Sequence, residues 1–174
     1  MMTETPQKND LGRLGHKAKG VANWILDLAD ENGLPITNMA LNKLVYFAVE
    51  KILLARGQLL TNARIEAWEH GPVFREVYHS FKLFGDKPIT GRAKAFSLST
   101  ETMEVVSVSL AERDEDFLKG ELLPLMRLPA SVLREISHAS GGPWEQVWTH
   151  EGHANPGMEI TAENIIAANL AGAH

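Results

Sequence analysis

The chain contains no cysteine. Disulfides, thiolate zinc centres, iron–sulfur clusters and cysteine nucleophiles are therefore excluded together. The absence fits a reducing compartment. No apolar run approaches the ~20 residues of a membrane span. The opening MMTETPQKNDLGRLGHKAKG has no apolar stretch of a secretory signal. A cytoplasmic protein is expected. Charge of one sign is also scarce: 17 Lys and Arg stand against 22 Asp and Glu, a net −5. The acidic run Glu112–Asp116 is broken by Arg113. The clustered Lys and Arg that announce nucleic-acid binding are missing, apart from His16, Lys17 and Lys19. Catalytic signatures are absent as well: no GxxxxGK[ST], HExxH, GxSxG, SxxK or GxGxxG occurs.

What is present suits one globular core. The chain has 174 residues, 44% of them hydrophobic and 22% charged, enough for a single domain. Residues 1–18 are polar and read as a flexible arm, leaving 19–171 as the domain. Val21, Trp24, Ile25 and Leu28 form a helical stripe that Gly33 and Pro35 stop. Thr37 or Asn38 caps the next helix, which ends at Gly57 and is apolar nearly all round, so it should be central. Its polar strip, Lys43, Tyr46 and Glu50, is expected to be a solvated face. A strand is expected over 64–69 and a hairpin over 95–110, with a bulge between Val105 and Val106. Helices are expected over Glu112–Leu123, ended or kinked by Pro124, around Leu133 and Ile136 after Pro129, and after the cap Thr161, with a loop over His150–Gly157. The fold class is α+β, mainly helical, with about six helices and a small antiparallel sheet.

The most informative stretch is RIEAWEHGPVFREVYHSFKLF, residues 64–84. Gly71-Pro72 reads as the switch from strand to helix, with Pro at the first helical position. Val73, Val77, Phe81 and Phe84 make one stripe, with Phe74 and Tyr78 beside it. Gly142-Pro143 is a second such start, followed by Trp144, Val147 and Trp148; His70 and His138 lie upstream of the two. Helix starts can hold anions, although most such junctions hold nothing. Four tryptophans are many for this length, and Trp and Tyr are favoured interface anchors. Trp24, Tyr78 and Phe81 read as core; Trp68 and the Trp144/Trp148 pair lie at an edge or a patch. Glu66 and Glu69 have opposite strand parity and cannot act as a carboxylate pair. His138, His150 and His153 have a loose metal-like spacing, but in a Gly/Pro loop rather than on a helix.

These stretches resemble a known family, the Panacea-domain or SocA-like antitoxins, also labelled phage-associated proteins. VANWILDLADENGLPITNMALNKLVYFA resembles the family's opening, a helix followed by a "P(I/L)T" cap and an "LxKLLYxA" helix. IEAWEHGPVFREVYHSFKLFG resembles its signature "IEAWxxGPVxxxVYxxFKxxG", and SHASGGPWEQVW its closing "THxExPWxxA" element. The acidic residue of that closing element is missing here, where Ala139-Ser140-Gly141-Gly142 stands. The resemblance implies an antitoxin that neutralises a toxin protein by direct binding, in some members as an adaptor to an ATP-dependent protease. It implies no enzyme activity and no cofactor. The motif or partner-binding residues it implies are Trp68, Glu69, His70, Gly71, Pro72, Val73, Tyr78, His138, Pro143 and Trp144. Trp68, His70 and the start of the Pro72 helix are expected to line a shallow groove. Two competing readings remain: a metal- or carboxylate-dependent hydrolase using His70, Glu69 and His138, and a DNA-binding autoregulator using the basic N-terminal cluster.

Overall fold

The computed structural model describes residues 11–150, 153–154 and 158–172. Seven α-helices and four two-stranded pairings occur among them, an α+β architecture that is mainly helical. The helices are α1 (Ala18–Glu31), α2 (Asn38–Arg56), α3 (Arg75–Phe81), α4 (Glu112–Met126), α5 (Ala130–Ser137), α6 (Pro143–Trp148) and α7 (Ala162–Leu170). The strands are β1 (Gly12–Arg13), β2 (Gln58–Leu59), β3 (Glu66–Trp68), β4 (Gly71–Val73), β5 (Lys94–Ser97), β6 (Thr102–Val105), β7 (Thr149–His150) and β8 (His153–Ala154). Among the described residues, no helix is long and apolar enough to cross a membrane.

Helix α2 is the axis. It packs against α1, α3, α4, α5, α7 and β4. Leu41, Leu44, Val45, Ala48 and Ile52 are fully buried along it. Thr37 Oγ1 accepts a hydrogen bond from the Ala40 N–H at its start, and Gly57 at φ 63° closes it, as composition suggests. The strip of Lys43 and Tyr46 is not solvated: the two side chains are 1% and 2% exposed. The packing of α5 and β4 against α2 covers them, while Glu50, the third member of the strip, is only half-buried.

Five further expectations are corrected. Gly71-Pro72 does not open a helix. β3 and β4 form a tight hairpin with Glu69-His70 as the turn, and α3 begins only at Arg75. Pro72 pairs with Ala67 on the outer strand, a register position where the ladder needs no N–H. Both readings use proline's missing donor, so the dipeptide alone does not choose between them. β3 also bonds on its other edge, where Ala67 N–H donates to Met158 O and Ile160 N–H to Ile65 O, each at 2.8 Å.

Pro124 does not end α4, which runs on to Met126; the residue one turn back, whose carbonyl its ring would crowd, is the exposed Gly120. Residues 11–17 are not frayed: β1 pairs in parallel with β2, Leu11 is buried, and His16 N–H donates to Leu60 O at 3.0 Å. No bulge separates Val105 from Val106, because the ladder continues in register with Val106 N–H donating to Ala93 O at 3.0 Å. Part of the segment read as a loop, His150–Gly157, pairs as β7 and β8; residues 151–152 and 155–157 lie outside the described residues, as do 1–10.

Asn23 holds the base of the β5–β6 hairpin to α1. Its buried Nδ2 donates to Ala93 O at 2.9 Å and Val106 O at 2.7 Å, and its Oδ1 accepts from Ala93 N–H at 2.8 Å. Asn23→Ala leaves these backbone groups without partners and is expected to cost about 2 kcal/mol. Urea unfolding should show a lower midpoint with an unchanged slope.

Candidate protein-docking site

The two signature stretches meet on one side of α2. Asn38 and Asn42, one turn apart, place the first. Asn42 is fully buried; its Oδ1 accepts from Phe74 N–H at 3.0 Å and its Nδ2 donates to Asn38 Oδ1 at 3.0 Å. Asn38 Nδ2 donates to Tyr78 O at 3.0 Å. The start of α3 is thereby fixed against α2.

Glu66 is the electrostatic centre of the hairpin. Its carboxylate is buried and accepts from Trp68 Nε1 at 2.8 Å and from Arg75 Nη2 at 3.0 Å, with Arg64 Nε at 3.6 Å. Burial pushes the carboxyl pKa up. The hydrogen bonds from Trp68 and Arg75, with the charges of Arg75 and Arg64, outweigh burial and hold it below its ordinary value. Trp68 is thus locked edge-on to Tyr78, with ring centroids 4.9 Å apart and planes at 64°.

The second stretch closes onto the first. Trp144 Nε1 donates to Trp68 O at 2.7 Å. Trp144 is stacked between two rings: His138 at 3.5 Å and 3°, and Trp148 at 5.6 Å and 14°. Gly71 makes the approach possible. It sits at φ 122°, and a Cβ there would lie 2.9 Å from Ser137 Oγ, 3.3 Å from Lys43 Cε and 3.7 Å from His138 Nε2. Both strain and collision disfavour other residues. Burial first, and then the positive charges of Arg134, Lys43 and His70, pull the His138 pKa down to about 4, so the ring is neutral near pH 7. Burial and Arg134 pull Lys43 down to about 8.

The structure therefore brings Trp68, Gly71, Tyr78, His138 and Trp144 together. Val73 is buried, as is Pro72; these two pack the hairpin. Pro143 is the first residue of α6, half-buried beside a cavity of about 360 Å³ lined by Tyr46, Glu50, Ile136 and Ser137 among others. Glu69 and His70 are exposed at the turn. Trp68, Tyr78 and Trp148 are half-buried, so their rings form a ledge open to solvent. Among the described residues, no three His, Asp or Glu gather as a metal site; the side chains of His150 and His153 lie outside the description. In the basic N-terminal cluster, Lys19 Nζ donates to Lys94 O at 3.1 Å. Sequence reading missed Glu66 as an acceptor, and with it Arg75, Asn38, Asn42 and Ser137. Only the two asparagines, one turn apart in an apolar helix, carried a usable signal.

Residues 41–145 match the family described as "Antitoxin SocA-like, Panacea domain". The chain is 40% identical over 149 residues to "Antitoxin SocA" of Caulobacter vibrioides (strain NA1000 / CB15N), a match covering 84% of this chain and 74% of that protein. No solved structure matches. The chain belongs to the SocA-like antitoxin family that carries the Panacea domain.

A group whose folded pKa is depressed adds stability above its unfolded value and loses it as pH falls through the folded one. Glu66 is such a group. Glu66→Gln should therefore lower stability at neutral pH by about 2 kcal/mol. Its stability should also change less than the wild type's on acidification from about pH 5 to 3, as melting curves will show.

Proposed function

We propose that this protein neutralises a cognate toxin in the cytoplasm by binding it directly, one to one, as a single domain to which residues 11–17 also belong. The observation that carries this reading is the ledge of Trp68, Tyr78, Trp144 and Trp148, whose rings are fixed by hydrogen bonds and stacking while three of them stay partly exposed. Rigid tryptophans and tyrosines anchor protein interfaces because they bury much area and lose little entropy. Similarity to an antitoxin over most of the chain supplies the class of partner. Handing the captured toxin to an ATP-dependent protease is a further step that the same docking allows.

The test is co-expression with the product of the adjacent reading frame. Growth inhibition should be relieved and the two proteins should co-purify in equal amounts. Trp148→Ala should keep the fold and weaken the complex about 30-fold. Undiminished toxicity, with no co-purification, would remove this reading.

A further inference from the structure

Positive charge converges, unpaired, beneath the turn between α5 and α6. Lys43 is 1% exposed, and its Nζ reaches only the Met39 carbonyl of its own helix, at 3.4 Å. Arg134 on α5 and His70 on the hairpin turn are exposed above it. His138 Nε2 is buried and has no hydrogen-bond partner. Ser137 Oγ, which donates to Arg134 O at 2.8 Å, closes the group around Gly71.

Arg56 pairs with Asp114, Lys51 with Glu121 and Arg92 with Asp27 and Asp30, whereas the half-buried Lys19 has only the Lys94 carbonyl; Lys43 is the one fully buried cation among the described residues. Among the described residues, no ion pair joins Lys43, Arg134 or His70 to a carboxylate. Glu69 and Glu135, the acids adjacent in sequence, are exposed and pair with none of them. Burial first, and neighbouring positive charge second, lower the pKa values of Lys43 and His138. A buried ammonium without a counter-charge costs several kcal/mol, and in a chain of net charge −5 its retention calls for an anion from outside.

We propose that Lys43, Arg134, His70 and His138 form a carboxylate-binding site, and that it receives an acidic side chain of the toxin beside the aromatic ledge. The toxin clause rests on the docking reading above; the carboxylate clause does not. The ledge supplies apolar area, and the cation cluster sets the register of the bound partner.

The test has two arms. In the first, the isolated chain is ¹⁵N-labelled and titrated with sodium acetate against equal ionic strength of chloride. The His138 imidazole resonances should shift saturably in the wild type and stay fixed in Lys43→Met. In the second, toxin affinity is measured by calorimetry. Lys43→Met and Arg134→Gln should each weaken the complex about 10-fold. The melting temperature of Lys43→Met should equal or exceed that of the wild type, because a buried charge has gone. An absent acetate response overturns the site, even if Lys43→Met binds toxin poorly, since Lys43 would then have a packing role. An acetate response with unchanged toxin affinity overturns the toxin clause and leaves a site for free carboxylates. Failure of the wild type to bind any toxin removes the docking reading, and the acetate arm alone then decides the site.

Discussion

The absence of a side chain at Gly71 governs this architecture. Ser137 Oγ and Lys43 Cε crowd the space a Cβ would need, and the φ of 122° is one that residues with a side chain rarely adopt. Because that space is filled from α5 and α2, the hairpin β3–β4 lies flat between them. Only in that position can Trp68 O meet Trp144 Nε1. Two segments some seventy positions apart are thereby joined, Trp68 and Trp144 being separated by 76 residues in the chain.

The consequence is a stiff aromatic surface. Glu66 fixes Trp68 from below, Tyr78 packs against it from the side, and His138 holds Trp144 flat. Each ring is held by at least one directional contact, so the surface has little rotamer freedom left to lose. The motif residues do two jobs here. Gly71, Pro72, Val73 and the buried Trp144 build the support, whereas Trp68, Tyr78 and Trp148 are the rings left partly exposed on it.

Much of this was legible in the sequence wherever one local interaction decides the outcome. The caps Thr37 and Thr161, the stops Gly33 and Gly57, and Pro143 at the start of α6 all stand where residue chemistry puts them. What was not legible depended on long-range pairing. Gly71-Pro72 satisfies helix-start and outer-strand chemistry equally well, and pairing to Ala67 and Trp68 chose the strand. Lys43 and Tyr46 looked like a wet strip because nothing local reveals that α5 and β4 cover that side of α2. Glu66 carries no local signal of its role, since its partner, Arg75, lies nine positions on across a turn whose closure the sequence does not state. Local signals specify elements; the site arises where elements touch.

The most direct measurement of the central claim is a double-mutant cycle between Gly71 and Ser137. Gly71→Ala, Ser137→Gly and the pair are compared by denaturant unfolding. If the close approach holds the two segments together, removing Ser137 Oγ relieves part of the alanine's collision. The pair is then more stable than the sum of the single changes, by about 1 kcal/mol or more. Additive costs within about 0.5 kcal/mol would mean the two sites do not touch in solution, which contradicts the account.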